Sequence, residues 1–277
     1  MSPATDAAQR PGSAPLAPGR LEAHLRERRA AGRKLLVPYV TAGLTADWTA
    51  VVAALAAAGA DAIEIGIPFS DPVMDGPVIQ EASQRALARG VDPPGLLDEL
   101  RSVDAGSPLA TMLYYNLVFR AGHRRFASAL ADAGVAGCIV PDLPLEEAGP
   151  WCEAADAAGV ETVMLAAPTA PDERLPRICA RARGFVYAVG LLGVTGERAT
   201  LATTATAMAA RVKAVTDRPV LVGVGVSDAA QAVEAAQVAD GVIIGSALVR
   251  RLLEGGGPDA AGAFIGGIRE ALDDHVA

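Results

Sequence analysis

Aromatic residues are scarce in this sequence: Phe, Tyr and Trp make up 4% of 277 residues. Any core must therefore be filled mainly by Ala, Val, Leu and Ile, which helps bring the hydrophobic fraction to 51%. Cysteine is scarcer still. Cys138, Cys152 and Cys179 are odd in number and show no CxxC spacing. That excludes a disulfide scaffold and fits a reducing, cytoplasmic setting. His24, His123 and His275 are scattered, so no zinc site or other metal site is expected. Positive charge is also short, with a net charge of −8 and no basic cluster, which argues against a nucleic-acid partner. No apolar run reaches the roughly 18–20 residues that span a bilayer. The N-terminal residues lack the apolar segment of a signal peptide. Rich in Pro, Ala, Gly and Ser, residues 1–18 read as a flexible tail, leaving 19–277 as one domain.

What is present is alternation. Eight short apolar runs, at 35–40, 62–68, 109–115, 137–142, 161–167, 185–190, 219–225 and 241–247, are separated by Ala-rich amphipathic stretches. Examples of the latter are 47–59, 123–134 and 228–239, and several end in Gly, as a helix C-terminus commonly does. Near-continuous apolar strands imply burial on both faces and hence a parallel sheet. Eight β/α repeats favour a closed (β/α)8 (TIM) barrel over an open doubly wound sheet. Residues 21–32 predict an extra helix closing the bottom of that barrel, and 91–104 an additional helix.

One strand breaks the apolar rule. In IEIGIPFSDPVMDG (63–76), Glu64 sits between two isoleucines, and Asp71 and Asp75 follow in a Pro/Gly-rich loop. Barrel enzymes place their chemistry at the C-terminal ends of strands. There a desolvated Glu64 would have a raised pKa and could exchange protons near neutral pH. A second carboxylate on the loop could stay ionised and hold a donor or a cationic intermediate. The plainer readings are a Glu64 paired with an Arg, Asp71 and Asp75 as turn residues, or Asp75 as the cap of a helix starting near Pro77.

Glycine marks the ends of the last three strands, in GLLGVTGE (190–197), GVGVSD (223–228) and IIGSA (243–247). Glycine lets backbone N–H groups approach an oxyanion, and a helix N-terminus adds its dipole. Gly196, Gly225, Gly245 and Ser246, with a short helix over 247–254, are therefore candidates for a phosphate cradle. The same glycines could serve tight turns.

IEIGIPFSDPVMDGPVIQ closely resembles the signature of the tryptophan synthase α-chain family. VPYVTAG (37–43), LYYNLVF (113–119), VPDLPLEE (140–147), YAVGLLGVTG (187–196), GVGVS (223–227) and GSALV (245–249) follow in the family's order. The resemblance covers nearly everything after the tail. It implies a (β/α)8 barrel that cleaves indole-3-glycerol phosphate to indole and glyceraldehyde 3-phosphate, with no cofactor. It also implies a pyridoxal-phosphate β subunit as partner in an α2β2 assembly. By the same resemblance Glu64 is the general acid/base and Asp75 the second catalytic carboxylate. Asp71 lies on the loop facing the β subunit. Gly196, Gly225, Gly245 and Ser246 match the phosphate site, and Tyr187 and Thr195 match active-site positions. Tyr39, Met112, Tyr114 and Ile139 are candidates to sandwich the indole, or else ordinary barrel packing.

The sequence departs from the family's pattern in four places. Leu44 and Thr45 follow TAG where an acid and a proline are usual, Gly190 replaces a common Ser, Glu197 follows VTG, and the tail is long. None removes a catalytic group. Three further readings remain: a stand-alone lyase releasing free indole, a catalytically weak barrel that activates a β subunit, and a phosphosugar isomerase or epimerase. The SDPVMDG loop (70–76) speaks against the last, which has no need of a carboxylate placed to meet an indole N–H.

Overall fold

The computed structural model of the chain describes residues 17–190, 198–223 and 225–276. Thr195, Gly196 and Glu197 lie outside them, as does nearly all of the expected tail.

Eight strands form the sheet: β1 (Leu35–Thr41), β2 (Ile63–Gly66), β3 (Leu109–Met112), β4 (Val135–Ile139), β5 (Glu161–Ala166), β6 (Val186–Ala188), β7 (Val220–Val222) and β8 (Gly241–Ile244). Each pairs in parallel with the next, and β8 returns to β1, so the barrel closes. Around it run α1 (Arg20–Ala30), α2 (Trp48–Ala57), α3 (Pro77–Ala88), α4 (Pro93–Leu100), α5 (Tyr115–Ala121), α6 (His123–Asp132), α7 (Gly149–Ala157), α8 (Leu175–Arg181), α9 (Arg198–Lys213), α10 (Ala229–Val238), α11 (Ser246–Leu253) and α12 (Pro258–Val276). The expected fold class, all eight strands and the extra helices α1 and α4 are borne out. Among the described residues no helix is long and apolar enough to cross a membrane.

Period-two alternation sorts each strand into two cores. Outward residues such as Leu36, Val40, Ile63, Ile65 and Val186 pack against the helices. Inward ones, including Leu35, Val37, Ala62, Ala110, Val163, Phe185 and Ile243, fill the barrel itself.

The bottom is plugged by α1. Leu21 and Leu25, both fully buried, enter the inner core. The helix begins at Gly19, which offers no capping side chain. Its orphan amides are instead taken by Glu161, the first residue of β5. That carboxylate accepts the N–H groups of Gly19 at 3.1 Å, Leu21 at 2.6 Å and Glu22 at 3.2 Å. Two more buried acids secure this end. Asp61 gathers Arg28 (3.1 Å), Arg33 (3.0 Å) and Arg269 (3.3 Å), and accepts the Leu36 amide at 2.9 Å. Asp240 takes Arg29 at 3.2 Å, Lys213 at 2.5 Å and the Val220 amide at 2.9 Å. With its lower end tied this way, the chain leaves the opposite mouth to carry chemistry.

Candidate active site

Three of the chain's four tyrosines, Tyr39, Tyr114 and Tyr187, converge with Glu64 and Asp75 at the C-terminal mouth. Two glycines make room for their rings. A Cβ on Gly66 would lie 1.9 Å from the Tyr39 hydroxyl, and one on Gly223 would lie 2.2 Å from that of Tyr187. Tyr39 on β1 pairs in register with Glu64 on β2. All three phenols are pushed above the ordinary tyrosine range, chiefly by burial, so they remain neutral hydroxyl groups near pH 7.

Glu64 is 1% exposed. No ion pair reaches it among the described residues, and its Oε2 has no hydrogen-bond partner. The reading of Glu64 as an arginine-paired structural acid is therefore overturned. Burial, and secondarily the negative charge of Asp75, push its pKa up to about 8. Near pH 7 it holds its proton.

Asp75 sits half-buried on the loop after β2. Burial raises its pKa to about 6, and a hydrogen bond from the Tyr114 hydroxyl opposes that rise. Near pH 7 it is mostly ionised. The capping reading does not hold: the N-cap of α3 is Gly76, and no side chain caps it. The Asp75 carboxylate thus stays available to the mouth, while its carbonyl accepts Gln80 Nε2 at 2.8 Å. Two carboxyl groups whose environments separate their pKa values supply one proton donor and one fixed anion.

The other expected residues that the structure describes lie at the same end. Met112 is partly exposed at the end of β3, and the Ile139 paired with it is fully buried. Tyr114 stands two residues past β3, its ring stacked on Phe69 at 5.1 Å and 22°. That contact and the hydroxyl's bond to the Met74 amide were missed in the sequence. Asp71 is exposed, and accepts a 2.5 Å hydrogen bond from Ser70. Gly225, beyond β7, has φ +78° and is exposed. Gly245 is the N-cap of α11 and Ser246 its first residue, so the α11 amides open at the end of β8. Leu44, which replaces the family's usual acid, is 6% exposed and packs into the outer core.

A family model described as tryptophan synthase alpha chain matches residues 25–261. The chain belongs to the tryptophan synthase α-chain family. It is 48% identical to the α chain of Thermobifida fusca over 247 residues, 87% of this chain and 92% of that protein. It is 48% identical to that of Streptomyces coelicolor over 248 residues, 88% and 90% of the two chains. Among solved structures, the aminoacrylate- and BRD0059-bound tryptophan synthase from M. tuberculosis superimposes with a TM-score of 0.83 at 38% identity, covering 92% of this chain and 98% of that one. The α subunit from Legionella pneumophila str. Paris gives 0.84 at 33% identity, covering 93% and 100%. Membership makes the chain a lyase of tryptophan biosynthesis, in the role of the α subunit.

Proposed function

We propose that Glu64 and Asp75 together carry out the retro-aldol cleavage of indole-3-glycerol phosphate. The observation that carries this reading is a buried Glu64, without an ion pair among the described residues, beside a half-buried Asp75. Protonated Glu64 gives its proton to indole C3, turning the ring into an electrophilic indolenine. Ionised Asp75 accepts the ring N–H and stabilises the positive charge that forms there. Glu64, now a carboxylate, removes the proton of the side-chain hydroxyl beside the ring. The carbon–carbon bond breaks, its electron pair returns to the ring, and indole and glyceraldehyde 3-phosphate result. Glu64 ends as it began.

Tyr39, Met112, Ile139 and Tyr187 offer walls for the indole. Gly225 and the amides at the start of α11 suit the phosphate, since a helix N-terminus favours an anion. The expected partner is a β subunit that consumes the indole. Val73 and Met74 on the loop, and Phe119 on α5, are exposed at 79%, 39% and 67%, an apolar rim beside the mouth that a partner would cover.

The test is indole release from indole-3-glycerol phosphate, with and without a cognate β subunit. Slow release that rises sharply with β is the expected result, and Glu64→Gln should abolish it. Fast release indifferent to β would make the chain a stand-alone lyase, and substantial turnover by Glu64→Gln would remove Glu64 from the mechanism.

A further inference from the structure

The loop that carries Asp75 is tied mostly to itself. Val73 donates to the Asp71 carbonyl at 2.9 Å, Asp75 to the Pro72 carbonyl at 3.2 Å, and Gln80 of the following helix reaches back to Asp75. Among the described residues, one main-chain hydrogen bond joins residues 70–75 to another β/α unit. Met74 N–H donates to Tyr114 Oη at 2.8 Å.

Tyr114 is well placed to receive it. Leu113 N–H donates to the Ile139 carbonyl at 3.1 Å, and Tyr115 N–H to Asp142 Oδ1 at 2.9 Å, so the backbone on both sides of Tyr114 is held by the β4 unit. The ring is braced against Phe69, the residue that leads into the loop. A phenol has two lone pairs and one proton. The Met74 amide occupies a lone pair, which leaves the proton for the Asp75 carboxylate.

We propose that Tyr114 is a positioning residue, a latch whose hydroxyl holds the loop to the barrel and aims the Asp75 carboxylate into the mouth. This role rests on the reaction assigned above. It differs from that of an indole wall, because it belongs to the hydroxyl and not to the ring. The charged and titratable groups around the pair are Glu64 on β2, Tyr39 on β1, Tyr187 on β6 and Asp142 beyond β4.

Tyr114→Phe tests it, since the ring and its stack on Phe69 are kept. Two readouts are needed. Amide hydrogen exchange of the peptide containing residues 70–76 should quicken in the full-length variant, while exchange in the barrel strands stays as in the wild type. In steady-state assays kcat should fall about tenfold or more with KM little changed, the loss of roughly one hydrogen bond to a charged group. The acid limb of the kcat profile should also move to higher pH, because the ionised form of Asp75 loses a donor. Unchanged exchange in 70–76 would overturn the latch. A raised KM with wild-type kcat would make the residue a substrate wall only. Should the wild-type chain fail to cleave indole-3-glycerol phosphate, the assigned reaction falls, and the exchange comparison still decides the latch.

Discussion

At pH 7 Glu64 keeps its proton in the folded chain, because burial places its pKa near 8, whereas its ordinary value is 4.5. Between those two pH values the unfolded chain has released a proton that the folded chain still binds. Unfolding therefore becomes easier as pH rises through this window, by at most about 1.4 kcal/mol per pH unit from this group. Glu64→Gln removes the effect, since an amide does not titrate. The variant should be of similar stability to wild type near pH 4.5 and gain on it progressively toward pH 8. Urea unfolding of both proteins at pH 5 and pH 8 checks this, and an equal difference at the two values would contradict a buried neutral Glu64. At this scale the sequence was informative where residue type clashed with pattern. A carboxylate in an apolar strand stands out at Glu64, and the Pro/Gly-rich loop just beyond that strand draws attention to Asp71 and Asp75. Tyr114 gave no such signal. A tyrosine after a strand reads as a wall, and its hydroxyl acquires partners only when residues 40 positions earlier fold back onto it.

Elements show the same division. Every strand was legible, because burial on both faces writes a continuous apolar run. Their junctions were less so, since they depend on contacts distant in sequence. No local pattern marks Glu161 as the cap of α1, because 140 residues separate it from Leu21. The α11 junction is more favourable, since Gly245 and Ser246 sit at a strand end and begin a helix. This permits a prediction that separates binding from folding. Ser246→Asp puts a negative charge at a helix N-terminus, which should stabilise the helix by about 0.3–1 kcal/mol. The same charge should repel a phosphate bound there. Expected are an unfolding midpoint equal to or above wild type and a KM for indole-3-glycerol phosphate raised at least tenfold, with a smaller change in kcat. A KM within twofold of wild type would move the phosphate away from α11.

Across the whole molecule the two ends of the barrel divide the labour. Among the described residues the mouth holds neutral hydroxyls, an acid with no ion pair and a loop secured by one main-chain hydrogen bond to a neighbouring unit. The base holds buried carboxylates: Glu161 takes the first amides of α1, while Asp61 and Asp240 each gather more than one cation. Asp61 illustrates the second kind. Its three arginines come from α1, from the turn after it and from α12, so one side chain joins the start of the barrel to its last helix. Arg28 is 41% exposed and can recover hydration if Asp61 is lost, but Arg269 is 6% exposed and cannot. Asp61→Asn keeps the size and one acceptor while removing the charge. The cost falls mainly on the buried Arg269 guanidinium, which loses its Asp61 carboxylate but keeps Asp273 at 2.5 Å and the Lys34 carbonyl at 2.8 Å. Breaking a buried pair costs about 3–5 kcal/mol, and these remaining partners hold the loss to the lower end of that range. For a chain of this size a loss of about 3 kcal/mol corresponds to a fall in Tm of roughly 6–12 °C. Because Asp61 faces the cations of the base while Glu64, within β2, faces Asp75 and the tyrosines of the mouth, the mouth should keep its geometry below the new melting point. Thermal unfolding and kcat at 25 °C, measured on the same preparation, check both halves. A large loss of Tm with near wild-type kcat is expected. A Tm lowered by less than 2 °C would show that the ion cluster does not hold the base together. A kcat that falls in proportion to stability would show that base and mouth are not separate.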